Sequence, residues 1–155
     1  MKLAQLRALL IGGAIAGALD ILFAIGFAMS RGSTPERLLQ VVASGAFGKP
    51  AFDGGAAMAA MGLLLHFVLS FIWTALFFFA ARAKPAVLRR PYLTAIAFGI
   101  LVFFVMRLVV LPLSAFPFPV KFQLVGWGAD LLSHMFLFGI PIVLATRRAL
   151  ASTAS

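Results

Sequence analysis

The sequence predicts an all-α membrane protein: a bundle of four transmembrane helices with a short interfacial helix in its first outer loop. Three observations predict it. Of 155 residues 63% are apolar and only 11% are charged, whereas soluble domains run near half apolar and a quarter charged. Four apolar runs, at about residues 8–28, 56–80, 92–112 and 124–146, each reach the roughly 20 residues that cross a hydrocarbon core. Backbone in lipid must satisfy its own hydrogen bonds, and these unbroken runs lack the period-2 alternation of barrel strands, so they are helices. At this length residues 1–155 form a single domain.

The first run begins MKLAQLRALLIGGAIAGALD and mimics a signal peptide, with Lys2 and Arg7 followed by apolar residues and a cleavage-like Ala14-Ile15-Ala16. It continues to Ala28, long enough to span, and is read as a retained first helix. Within it Gly13 and Gly17 form a small-xxx-small stripe that allows close helix approach. Packing inside the chain is the favoured use of that stripe; a homodimer or a partner membrane subunit would use the same physics.

The loop after it, GSTPERLLQVVASGAFG, carries the signals of a short helix. Ser33 or Thr34 can cap it, Pro35 suits its first turn, Glu36 can close a capping box on Ser33, and Gly45 can end it. Leu38, Leu39, Val42 and Phe47 would supply the apolar face of a helix lying on or dipping into the interface. The second outer loop, PLSAFPFPVKF, is too rich in proline for helix and too apolar for free solution. It is expected to cap the bundle.

Lys2, Arg7, Arg82, Lys84, Arg89, Arg90, Arg147 and Arg148 flank one side of the runs, and Arg31, Arg37, Lys49 and Lys121 the other. Eight cations against four predict a multi-pass membrane protein with both termini cytoplasmic. The same placement accounts for the net charge of +9, so the partner implied is the lipid bilayer and not nucleic acid. The chain has no cysteine, which excludes disulfides, thiolate metal sites, iron–sulfur clusters and covalent haem attachment. No Walker loop, GxSxG elbow or HExxH helix occurs, no lysine lies inside an apolar run, and neither a catalytic residue nor a metal site is evident.

Five ionisable residues lie within the four helices: Asp20, His66, Arg107, Asp130 and His134. A charge at a helix centre costs about 2.5–3.5 kcal/mol even on lenient insertion scales, so such residues face a bundle interior, pair, or mark a functional path. At about 1.5 Å of rise per residue, Asp20, His66 and His134 fall near the midplane, while Arg107 and Asp130 share a level nearer the outer end. An Arg107–Asp130 ion pair is therefore expected, above a midplane group of Asp20 with the two histidines. Asp130 and His134, four apart, share one helix face. GLLLHFVLSFI (62–72) and DLLSHMFLFGI (130–140) align without gaps and match at five of eleven positions, including both histidines. That alignment would place the imidazoles in equivalent, facing positions.

Together these residues predict a polar core toward the periplasmic side in a protein that is binding, transport-related or accessory, leaning away from an enzyme. One alternative is a b-type haem protein with His66 and His134 as axial ligands; another is a proton- or ion-coupled relay through Asp20, His66 and His134. The same groups would also serve purely as interhelical hydrogen bonds. Trp73 and Trp127 are read as lipid-facing or packing residues.

The segments RLLQVVASGAFG, GLLLHF, VMRLVVLPLSAFP and SHMFLFGIPI resemble a family of small four-helix inner-membrane proteins of bacteria, a domain of unknown function. The resemblance covers about residues 10–148. It implies the fold and the inner membrane, and brings no activity with it.

Overall fold

Apolar length builds four membrane-spanning helices: α1 (Leu3–Ser30), α3 (Gly55–Ala83), α4 (Pro91–Leu113) and α5 (Leu124–Ala151). A shorter helix, α2 (Pro35–Phe47), lies in the first long loop. The computed structural model describes residues 2–151, so residue 1 and residues 152–155 of the expected single domain lie outside the described residues; among these no strand occurs. The chain is a multi-pass, all-α membrane protein. The helices run somewhat beyond the apolar stretches because polar residues extend them into the headgroup region. At the start of α1, for example, Gln5 Oε1 accepts from the Lys2 backbone N–H at 2.9 Å.

Neighbouring helices touch through small residues. A Cβ at Gly13 or Gly17 would press on Phe71, Thr74, Phe67 and Ser70 of α3, and one at Gly12 would collide with Ala145 of α5. The Gly13/Gly17 stripe is thus consumed inside the chain, and both glycines are buried. This corrects the alternative of a homodimer or partner subunit docking through them. A Cβ at Gly99 of α4 would meet the His134 carbonyl of α5, and one at Gly139 of α5 the Ala95 carbonyl of α4. Around the bundle the order is therefore α3, α1, α5, α4.

The fourth side, between α3 and α4, closes only in part. Toward the end where α1 begins and α5 finishes, Phe98 of α4 meets Phe77 (ring centroids 4.7 Å) and Trp73 (6.3 Å) of α3. Phe98, Phe77, Val102, Phe138, Ile142 and Val143 fill the core there. Toward the other end, which carries residues 31–54 and 114–123 (the loop end), a cleft separates α3 from α4.

The loop helix departs from expectation in three respects. Thr34, one of the two expected caps, accepts from the Arg37 N–H at 3.1 Å, but Glu36 closes no capping box on Ser33 and instead reaches along the helix to Gln40. The helix runs past Gly45 to Phe47, and Gly48 ends it with φ 65°, a left-handed conformation that favours glycine. Its buried face is Gln40, Ala43 and Ser44; Leu38, Leu39 and Val42 are only half-buried and Phe47 is exposed. The cause is close backbone contact, because a Cβ at Gly62 of α3 would strike the Leu39 carbonyl. Only small or slender side chains fit so tight an approach, so the larger apolar ones face outward. The second loop caps this assembly: Ala115 N–H donates to the Gly45 carbonyl at 2.9 Å. Phe118 packs on Phe52 at 5.6 Å, and the Arg37 guanidinium lies over the Phe52 ring, 4.0 Å from its centroid.

Two π-helical turns interrupt the spans, Met106–Val110 in α4 and Ser133–Phe138 in α5. Each precedes a proline, Pro112 and Pro141. Proline has no N–H and crowds the carbonyl four residues back, here Leu108 and Leu137, both inside the π turns. Widening the turn relieves that conflict. Arg107 and His134 both sit on the widened backbone.

Candidate functional site

The cleft, about 460 Å³ in volume, is lined by side chains of all five helices, and Asp20, His66, Arg107, Asp130 and His134 all border it. α2 roofs it, α1 and α5 form its inner wall, and apolar residues of α3 and α4 form its sides.

Arg107 and Asp130 pair as their common depth requires. Arg107 Nε and Nη2 both donate to Asp130 Oδ2, at 3.0 and 2.6 Å. The guanidinium also lies near two rings, with Cζ 5.9 Å from Phe103 and 5.7 Å from Trp127, within cation–π range. Trp127 thus does more than pack against lipid, while Trp73 is a packing residue against Phe98.

Below the ion pair the arrangement differs from a single group of Asp20 with two histidines. His134 stands between the carboxylates, its Nδ1 3.3 Å from Asp130 Oδ1 and 3.8 Å from Asp20 Oδ1. The same nitrogen lies 2.9 Å from the Asp130 backbone carbonyl. A carbonyl only accepts, so His134 Nδ1 carries a hydrogen. Asp20 Oδ1 accepts from Ser133 Oγ at 2.6 Å. His66 stands apart, its Nε2–H donating to the Gly17 carbonyl at 2.8 Å. It borders the cleft without joining the carboxylates.

The haem alternative does not fit these partners. The His66 Nε2 that would ligate iron is committed to Gly17, and Asp20 and Asp130 line the cleft, where their carboxylates would repel anionic propionates while Arg107 is already paired. Among the described residues no cluster of three or more His, Cys, Asp or Glu side chains is arranged to hold a metal ion.

Several contributors escaped the sequence reading. Ser133, the hydroxyl partner of Asp20, is an unremarked residue beside His134, and the Gly17 carbonyl has no sequence signature as an acceptor. Phe103 is one phenylalanine among 17. The prolines that widen α4 and α5 were the available signal for the π turns. Some polar groups are plain interhelical connectors: Ser70 Oγ donates to the Gly13 carbonyl at 2.8 Å.

Fold and site together define a polytopic membrane protein with a polar cleft inside its helical bundle. Compared with protein-family models, curated proteins and solved structures, the chain matches none.

Proposed function

We propose that this is a bacterial inner-membrane protein that binds a small membrane-soluble molecule in the cleft between α3 and α4, in a transport-related or accessory role. The observation that carries the reading is the cleft itself. It has the volume of an ordinary small-molecule site, apolar sides, and ionisable groups converging on its inner wall. Groups that serve only as interhelical glue have no need of open space beside them. Inner-membrane residence is supported by the resemblance of RLLQVVASGAFG, GLLLHF and SHMFLFGIPI to the bacterial four-helix family. The orientation, with both termini cytoplasmic and the cleft toward the periplasmic side, is supported by the eight-to-four distribution of flanking cations.

Native mass spectrometry of protein extracted from membranes tests the binding. A retained molecule is expected on the parent and on Leu101→Trp, which alters an exposed lipid-facing position. It should be lost from Val110→Trp, which fills the cleft. Equal retention by both variants, or none by the parent, overturns the reading.

A proton relay is a second reading, favoured by His134 Nδ1 lying within 3.8 Å of oxygens from both carboxylates. It predicts proton flux in liposomes that Asp20→Asn abolishes. An unchanged flux in that variant removes it.

A further inference from the structure

We infer that the cleft takes a lipophilic ammonium, a primary amine on an apolar chain, and exchanges it for a proton; this rests on the reading of the cleft as a binding site for a membrane-soluble molecule. The hydrogen-bond directions decide the head group. His134 uses Nδ1–H on a backbone carbonyl, which leaves Nε2 as an acceptor in the neutral ring, and His66 uses Nε2–H, which leaves Nδ1 as an acceptor. Asp20 Oδ1 is taken by Ser133, and Oδ2 has no partner. None of these three acceptors is sealed in protein, because among the described residues only Thr146 Oγ1 is both fully buried and unpartnered. The cleft therefore offers three open acceptors, and the three N–H groups of an ammonium supply the matching donors.

Charge points the same way. Arg107 and Asp130 cancel, which leaves Asp20, only 8% exposed, with a hydroxyl and an imidazole as its neighbours. A buried carboxylate at this depth calls for a compensating positive charge. In the empty cleft that charge is a second ring proton on His134, at Nε2, since Nδ1–H is already held by the Asp130 carbonyl. When an ammonium enters, it keeps its own protons and its charge, and the His134 Nε2 proton leaves to water, which opens Nε2 as an acceptor. The net charge of the cluster is unchanged, so one proton is released per amine bound.

The charged and titratable groups around that proton are Asp20 from α1, His66 from α3, Arg107 from α4 and Asp130 on α5, while α2 contributes none to the lining. A carboxylate head would face two aspartates, and an alcohol brings one donor and no charge. Leu65, Val68, Leu69, Val110 and Leu111 supply the apolar sides for the chain.

Calorimetry of the full chain in zwitterionic nanodiscs, with protein-free nanodiscs subtracted, tests this with dodecylamine as probe. In buffers of different ionisation heat, one proton should be released per amine. The affinity should rise with pH, by up to about tenfold per pH unit, until the His134 proton is already lost. Dodecyltrimethylammonium, which has no N–H, should bind at least about tenfold more weakly, roughly the loss of one net hydrogen bond. Dodecanol and dodecanoate should give no saturable heat. Asp20→Asn should lose the preference for dodecylamine, and the proton count on the parent stands even if that variant fails to fold. Dodecylamine binding without proton release overturns the inference. If dodecanol or dodecanoate binds as well as the amine, and Val110→Trp abolishes that binding, the binding cleft stands and the ammonium assignment fails. If no probe responds to Val110→Trp, both fail together.

Discussion

Removing Arg107 should cost the folded protein about 2 kcal/mol, and removing Asp130 with it should return part of that loss. Two guanidinium N–H groups converge on one Asp130 oxygen, at 3.0 and 2.6 Å. Hydrogen bonds to charged groups contribute about 1.5–3 kcal/mol. The two side chains retain 30% and 28% of their exposure, which lets solvent compensate part of the break and places the cost toward the lower end. Asp130→Leu alone should cost more than Arg107→Met alone, because His134 Nδ1, 3.3 Å from Asp130 Oδ1, loses its carboxylate as well. In the double variant neither charge is left unpaired. Reversible unfolding in mixed micelles measures all four proteins, and a coupling of about 1.5 kcal/mol is expected from the cycle. The exchange Arg107→Asp with Asp130→Arg should also recover part of the loss. A double variant that loses the sum of the two singles within about 0.5 kcal/mol would show that the groups do not interact.

Gly99→Ala should destabilise by about 1–3 kcal/mol, because the new Cβ meets the His134 backbone carbonyl, which has no rotamer to escape by. Gly26→Ala, with nothing within 4 Å of its Cβ, should be neutral or stabilise by up to about 1 kcal/mol in the same unfolding assay. Gly62→Ala should lift α2 from α3, read as a gain in thiol labelling at Ser44→Cys, a position fully buried in the parent. Reporter fusions after Arg90 and after Phe118 should read cytoplasmic and periplasmic respectively; the reverse pattern would exchange the inner and outer ends of the cleft.

The spans were legible because burial in lipid writes itself into composition, and the Arg107–Asp130 pair was legible because rise per residue converts sequence position into depth. Depth does not give rotation about the helix axis. His66 and His134 fall at one level, yet His66 turns to the Gly17 carbonyl while His134 turns to the carboxylates. The internal alignment that would make them equivalent says nothing about that rotation. The loop helix was legible from Thr34 and Pro35, but its buried face was not. There the close approach of Leu39 to Gly62 selects small residues over the apolar ones that an isolated amphipathic helix would bury. The π turns at Arg107 and His134 follow from prolines several residues downstream, a backbone effect that hydrophobic periodicity does not register.

With only two histidines and three aspartates in the chain, the polar cluster can be read directly by solid-state NMR. The protein in lipid bilayers would carry ¹⁵N-histidine and aspartate labelled with ¹³C at the carboxyl carbon. One imidazole, assigned to His134 by its loss in His134→Ala, should have its Nδ1 signal strongly dephased by carboxyl carbon, as an Nδ1 within 3.3 and 3.8 Å of two carboxylate oxygens requires. The other, His66, should show no comparable dephasing, since its Nε2 is held by the Gly17 carbonyl. Two undephased imidazoles would mean that no histidine stands between the carboxylates inside the bundle, and the cleft described here would lose its polar centre.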